Sequence, residues 1–118
     1  MAADGAPDEN AVRARLLAER DELVRVRESA AGDLKPVALD QQSVGRLSRI
    51  DAMQRQEMSL AQERRRQVRL QVIAAALQRL ADGEWGYCLS CGEDIQPKRL
   101  GLDPAVTLCT RCAGAKAD

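Results

Sequence analysis

The sequence predicts a mainly α-helical protein: an antiparallel helical hairpin, or coiled coil, followed by a C-terminal four-cysteine module with a short C-terminal helix. Ala, Leu, Arg, Glu and Gln dominate the 118 residues, as in long helices, and aromatic residues make up only 2%. Apolar residues recur at alternating steps of three and four, interrupted by one segment that contains Gly and Pro. All four cysteines lie within residues 88–112.

The first helix is predicted to begin near Glu9, with Asp8 as its N-cap. Residues 1–7 are small and acidic and are expected to be disordered. The apolar seam of this helix is broken once, at Glu19. Its members are Val12, Leu16, Leu23, Val26 and Ala30. Gly32 suits a helix C-cap and Pro36 cannot continue a helix, so a tip loop is predicted near residues 31–40.

The second helix is predicted from about Gln41 to about Leu80, with Asp40 at its N-cap and Gly83 ending it. Most of its apolar residues fit one a/d frame. Others form a neighbouring apolar stripe nearer the C-terminal end of this helix. The frame contains Val44, Leu47, Met58, Ala61, Val68, Val72 and Ala75, and the stripe contains Leu70, Ile73, Leu77 and Leu80. The predicted division is a hairpin over 8–82 and a cysteine module over 83–118.

The charges favour pairing of the two helices within one chain. Residues 8–33 carry 7 acidic and 5 basic side chains, whereas residues 40–82 carry 5 acidic and 8 basic ones. Helices of opposite net charge attract each other. A helical dimer is the alternative, and the sequence leaves it open.

The cysteines follow a metal-binding pattern: Cys88-x2-Cys91, 17 residues, then Cys109-x2-Cys112. Four thiolates form a closed tetrahedral zinc site, which is structural because no position remains for water or substrate. Gly92 allows the tight turn after the first pair. Paired disulfides or redox cysteines are the alternative. The acidic N-terminus does not resemble a signal peptide and no long apolar run is present, so we expect a cytoplasmic protein without a membrane segment, where disulfides are disfavoured.

The composition argues against two other classes of function. The chain has no histidine, which removes the commonest general base, so we expect no enzymatic activity. Its 18 basic and 18 acidic residues balance, whereas DNA-binding proteins are usually basic. Residues 83–118 carry 5 acidic and 4 basic side chains, so a DNA-binding finger is the weaker interpretation of the cysteine module.

A helical hairpin followed by "GYCLSCG", "IQPKRL" and "PAVTLCTRC" resembles the DksA/TraR family of bacterial transcription regulators. The resemblance covers the cysteine module closely and the hairpin by its layout, about residues 8–115. It implies direct binding to RNA polymerase, with the coiled coil inserted into the secondary channel toward the catalytic magnesium. It also implies an effect on transcription initiation without DNA binding.

The family carries acidic residues at the hairpin tip, typically as D-x-x-D-x-A, and this chain departs from that motif. Asp40 is the favoured tip acid, followed by Asp33 and then Asp51, which precedes Ala52. The alternative is that Asp40 only caps a helix. Some family members also help to bind the alarmone ppGpp through basic residues. The positions that match here are Val72, Asp103 and Ala113, none of them basic, so the resemblance does not extend to ppGpp.

The function predicted from the sequence is therefore a non-enzymatic regulator that binds RNA polymerase and contains one structural zinc ion. The first rival is a zinc-finger DNA-binding protein. The second is a structural coiled-coil adaptor whose zinc module serves only as a cap. The target promoters and the direction of regulation do not follow from the residues.

Overall fold

The computed structural model describes residues 7–31 and 46–117. They form four helices: α1 (Glu9–Ser29), α2 (Arg46–Asp82), α3 (Pro97–Leu102) and α4 (Thr110–Ala117). Over these two ranges the β-structure consists of one isolated bridge. No helix within them has the long apolar run that a membrane crossing requires. The predicted tip loop, with Asp33 and Asp40, lies outside the described residues.

Two predicted helix ends, the start of the first hairpin helix and the end of the second, are confirmed, whereas the predicted caps Gly32 and Asp40 lie outside the described residues. The Oδ2 atom of Asp8 accepts a hydrogen bond from the N–H of Ala11 at 3.3 Å, which is the N-cap geometry. At the end of α2, the N–H of Gly83 donates to Leu80 O at 3.3 Å and the N–H of Glu84 donates to Arg79 O at 2.8 Å. These two bonds define a Schellman motif, and Gly83 has the left-handed φ of +74° that it requires.

The described chain divides into two compact units. Unit 1 comprises Met1–Arg20 and Gln71–Asp118, and thus joins the start of α1, the end of α2 and the cysteine module. Its core is apolar. The buried side chains of this core are Val12, Leu16, Ile73, Ala76, Leu80, Trp85, Ile95, Leu100 and Ala105, together with two of the cysteines. The first residues of α1 and the last residues of α2 share this core, so the two helices run antiparallel.

Unit 2 comprises Asp21–Leu70 and is built differently. Of the side chains described there, in 21–31 and 48–70, the one that is buried is the carboxylate Glu63, in a residue 7% exposed. Its Oε2 lies 2.6 Å from Arg27 Nε on the other helix, and its Oε1 lies 3.2 Å from Arg66 Nε. An ion pair therefore occupies the place where an apolar seam was expected.

The predicted a/d frame of the second helix is wrong at three positions, whereas Ala61 and Val72 are half-buried and Val44 lies outside the described residues. Met58 is 63% exposed, Val68 is 60% exposed and Ala75 is also exposed. A set of residues of α2 recurs at alternating steps of four and three, and all its members are buried or half-buried, with the buried Ala76 beside them. They are Ala52, Gln56, Ser59, Glu63, Arg66, Leu70, Ile73, Leu77 and Leu80. The neighbouring stripe from Leu70 to Leu80 is thus the seam itself, and its continuation toward lower residue numbers, from Arg66 to Gln56, is polar.

Candidate metal centre

The first cysteine pair lies on a tight hairpin. The N–H of Cys88 donates to Glu93 O at 2.8 Å, and the N–H of Gly92 donates to Cys88 O at 2.9 Å. An antiparallel bridge between Tyr87 and Asp94 closes the base of this hairpin. Gly92 has a φ of +79°, in the left-handed region that favours glycine. The predicted role of Gly92 in turning the chain after the pair is confirmed.

The second cysteine pair lies where a loop enters α4. The N–H of Ala113 donates to Cys109 O at 2.9 Å, and the N–H of Cys112 donates to Cys109 Sγ at 3.4 Å. A backbone N–H directed at sulfur favours the thiolate over the thiol. A hydrogen bond of 2.8 Å from the N–H of Leu89 to Thr107 O joins the segments that carry the two cysteine pairs.

The four sulfur atoms form one cluster. The Sγ atoms of Cys88, Cys91, Cys109 and Cys112 all lie within 4.8 Å of one another. Those of Cys91 and Cys109 are 3.8 Å apart. A zinc ion bound by four thiolates at ~2.3 Å in a tetrahedron places its sulfurs about 3.8 Å apart. The cluster therefore fits a zinc ion, and four sulfur ligands leave no position for water or substrate, so the ion is structural.

The thiols differ in acidity because their hydrogen bonds differ. Backbone hydrogen bonding at Cys109 is the main effect that lowers the pKa of Cys88 to about 6. Backbone hydrogen bonding from Cys112 likewise lowers the pKa of Cys109. The Cys112 side chain shares a hydrogen bond with Cys109, which raises the pKa of Cys112 to about 12. Four thiolates this close repel one another, so the last thiol to ionise keeps its proton. A bound divalent cation offsets this repulsion and favours the loss of that proton.

Three polar side chains that the sequence analysis did not single out shape the module. Arg15 of α1 donates to Gly101 O at 2.7 Å and to Leu102 O at 3.0 Å, so it caps the C-terminal end of α3. The Oε1 atom of Gln96 accepts hydrogen bonds from the N–H and the hydroxyl of Thr110, each at 3.3 Å, and so supports the start of α4. These contacts join distant parts of the chain, so no local sequence pattern indicates them.

The third side chain is Arg111, next to the second cysteine pair. Hydrogen bonding with Cys91, together with the negative charge of the cluster, raises the pKa of Arg111. Four thiolates and one Zn²⁺ carry a net charge of −2, so a cation beside them is favourable. Its position two residues after Cys109 is the feature of the sequence that indicates a cation beside the cluster.

Trp85 and Arg99 fix the chain between the two cysteine pairs. The indole N–H of Trp85 donates to Pro104 O at 2.8 Å inside the core of unit 1. The Nε atom of Arg99 donates to Leu108 O at 2.8 Å, directly before the second pair. Each bond gives a backbone carbonyl group a side-chain donor. The cysteine module is therefore held by side-chain hydrogen bonds as well as by its cysteines.

The other predicted site residues are not gathered into one place. Asp51 is exposed on α2, and Ala52 next to it is half-buried on the polar part of the seam. Asp103 is one of the three positions that match the basic residues with which some family members bind ppGpp. Its Oδ1 atom accepts a hydrogen bond from the N–H of Ala105 at 3.0 Å. Val72 and Ala113 are half-buried. Asp103 thus stabilises the loop after α3.

The family profile "Prokaryotic dksA/traR C4-type zinc finger" matches residues 83–116. Together with the sulfur cluster, this match shows that the cysteine module holds a structural zinc ion. The paired-disulfide alternative is not supported, since all four cysteines are free.

Two relatives match more of the chain. The RNA polymerase-binding transcription factor DksA of Haemophilus influenzae is 38% identical over 63 residues, which are 52% of this chain and 43% of that protein. The alignment thus spans less than half the length of this curated relative. The structure of transcription factor DksA2 from Pseudomonas aeruginosa is 28% identical, with a TM-score of 0.76, over 92% of this chain and 82% of that one. The likeness extends over both the helical hairpin and the zinc module.

Proposed function

Because the chain belongs to the DksA/TraR family, we propose that it is a bacterial transcription regulator that binds RNA polymerase directly in the cytoplasm. In this proposal the helical hairpin enters the secondary channel of the polymerase and modulates transcription initiation. The observation that carries the proposal is the likeness to DksA2 over 92% of the chain, because it includes the hairpin as well as the finger. A pair of helices joined to a zinc module suits insertion into a channel.

The zinc module has a structural role in this proposal, with one thiolate ligand from each of Cys88, Cys91, Cys109 and Cys112. We divide the chain at residue 83, where the Schellman turn ends α2 and the family match begins. The ion replaces the core that so short a module cannot build by itself. No reaction is assigned to the site, since four sulfur ligands complete the coordination of the ion.

The acidic tip belongs to the same proposal. Asp40 is our first candidate for the carboxylate that reaches the catalytic centre of the polymerase, followed by Asp33 and then Asp51. Asp51 is exposed on α2, in the sixth position of the helix. The proposal assigns affinity for the polymerase to the hairpin and the zinc module, and the effect on transcription to the tip.

Binding to core RNA polymerase, measured with the zinc-loaded full chain, tests the function. We expect saturable binding to the polymerase and no appreciable binding to duplex DNA at physiological salt, because the chain has no excess of basic residues. Absence of polymerase binding by a folded, zinc-loaded chain contradicts the proposal. Tight DNA binding with a steep salt dependence would instead favour the zinc-finger DNA-binding rival.

A further inference from the structure

A cleft of about 700 Å³ lies within unit 1, between residues 7–9 at the start of α1 and residues 85–100 of the zinc module. We call it the N-terminal cleft. Its volume is in the range of ligand-binding clefts. It is lined in part by Trp85, Tyr87 and Pro97, and the buried side chains of Ile95 and Leu100 also contribute to it.

The aromatic residues of the chain are concentrated in the N-terminal cleft. The sequence contains one Trp, one Tyr and no Phe, and Trp85 and Tyr87 both line this cleft. Trp85 is 8% exposed, and its indole N–H is already bonded to Pro104 O, so its ring is held in place. Tyr87 is 49% exposed. The half-exposed ring of Tyr87 provides π surface for a ligand.

The charge of the N-terminal cleft is negative. Asp8, Glu9 and Asp94 line it, and no Lys or Arg does. Among the neighbouring basic residues, the Nε atom of Arg99 is directed to Leu108 O. Asp8 also caps α1, and the helix N-terminus offsets only about half a unit of charge. A phosphate or another anion is therefore repelled, whereas a cation is attracted.

We propose that the N-terminal cleft binds an arginine side chain presented by a partner protein, which under the function proposed above is RNA polymerase. A guanidinium group is planar, stacks on aromatic rings and forms paired hydrogen bonds with carboxylates. Its aliphatic stem suits the apolar part of the cleft, where Ile95 and Leu100 lie. An uncharged apolar side chain gains nothing from the negative charge of the three carboxylates.

The first test uses Trp85 as a reporter, because it is the only tryptophan of the chain. The zinc-loaded protein is titrated with N-acetyl-arginine amide, and in parallel with N-acetyl-citrulline amide, which has the same shape without the charge. We expect a saturable change of Trp85 fluorescence with the arginine compound. The citrulline compound should bind about tenfold more weakly, the usual size of a stacked and charge-paired interaction. Equal responses to the two compounds, or no response to either, overturn the proposal.

The second test measures binding of the double variant Glu9→Gln, Asp94→Asn to core RNA polymerase. Both substitutions keep size and remove charge. We expect about tenfold weaker binding and a smaller dependence on salt. Glu84→Gln is the control for loss of a negative charge outside the cleft, since Glu84 is exposed in the same unit and does not line the cleft. Zinc content and thermal unfolding of each variant verify the fold.

The two proposals fail in different ways. If the unsubstituted protein does not bind the polymerase, the proposed function is wrong, whatever the cleft variants do. If it binds and the double variant binds equally well, the polymerase is not the partner of the N-terminal cleft and the inference is overturned. A loss of affinity in Glu84→Gln equal to that of the double variant also overturns it, because general charge rather than the cleft then determines binding.

Discussion

Replacing Glu63 by Gln tests whether an ion pair holds unit 2 together. The carboxylate contacts Arg27 on α1 at 2.6 Å and Arg66 on α2 at 3.2 Å. Although Arg27 is close, Glu63 Oε2 has no aligned hydrogen bond within the described ranges, and neither has the buried Nη2 of Arg66. The attraction to Arg27 is therefore mainly Coulombic, whereas Arg66 Nε donates a hydrogen bond to Glu63 Oε1. Glutamine keeps the size of the side chain and removes that attraction.

The exposure of the three side chains sets the expected cost. The Glu63 side chain is 9% exposed and that of Arg66 is 12% exposed, whereas that of Arg27 is 48% exposed. Breaking a fully buried pair costs ~3–5 kcal/mol, and breaking an exposed one costs at most ~1 kcal/mol. We therefore expect the free energy of unfolding of unit 2 to fall by about 2 kcal/mol in Glu63→Gln. The expected losses are about 1.5 kcal/mol in Arg66→Gln and about 0.5 kcal/mol in Arg27→Gln.

Amide hydrogen exchange followed by mass spectrometry is the suitable assay, because it resolves the two units. A loss of about 2 kcal/mol accelerates exchange about thirtyfold where local opening limits it. We expect this acceleration in residues 21–29 and 46–70 of Glu63→Gln. Residues 71–113 should be unchanged, because their core is apolar and contains the zinc cluster.

Glu57→Gln is the matched control, since Glu57 is exposed on the same helix. It should change exchange by less than about twofold, as surface substitutions usually do. Equal acceleration in both units would show that they open together. If Arg27→Gln cost as much as Glu63→Gln, the burial argument would be refuted. Replacing Arg27, Glu63 and Arg66 together by Leu should leave unit 2 at least as stable as before, because no buried charge then lacks a partner.

Three further outcomes are expected. Removal of zinc by a chelator, or Cys109→Ser, should disorder residues 83–117 while much of the hairpin helicity in circular dichroism remains; metal analysis should give one zinc per intact chain and none after chelation. Trp85→Phe should lower the thermal stability of unit 1 by about 1–3 kcal/mol, because it leaves Pro104 O without its buried donor; an unchanged melting curve contradicts this. Asp40→Asn, which keeps a good N-cap, should bind the polymerase nearly normally but lose much of its effect in transcription assays. If Asp51→Asn shows that loss instead, the tip acid has been misassigned.

Local chemistry made the helix ends and the zinc site predictable from the sequence. Asp8 and Gly83 act through bonds to residues no more than five positions away, so their neighbours in sequence contain the needed information. The spacing of the cysteines likewise reflects the size of one ion. Arg15 could not be predicted in this way, because its partners lie 86 and 87 residues further along the chain.

The frame of α2 was mispredicted because apolar spacing was taken as the only sign of burial. Met58 and Val68 have the apolar character and the spacing of a seam, yet they are exposed. Glu63 and Arg66 occupy the inner positions because their opposite charges compensate each other, which lowers the cost of burying charge, while the second arginine, Arg27, is half exposed to water. Steps of four and three residues from Leu70 toward lower residue numbers lead to Arg66 and Glu63.

The distribution of burial gives the zinc module a larger role than that of a cap. Trp85, Ile95 and Leu100 of the module are buried in the same unit as Ile73 and Leu80 of α2. Zinc binding stabilises the folded form of the module. Since these side chains contribute to one apolar core, part of the zinc-binding free energy also stabilises the ends of the hairpin helices. The described part of unit 2 has no such core and relies on the Glu63 ion pairs. Zinc removal and Glu63 substitution should therefore perturb different halves of α2, with the boundary near Leu70.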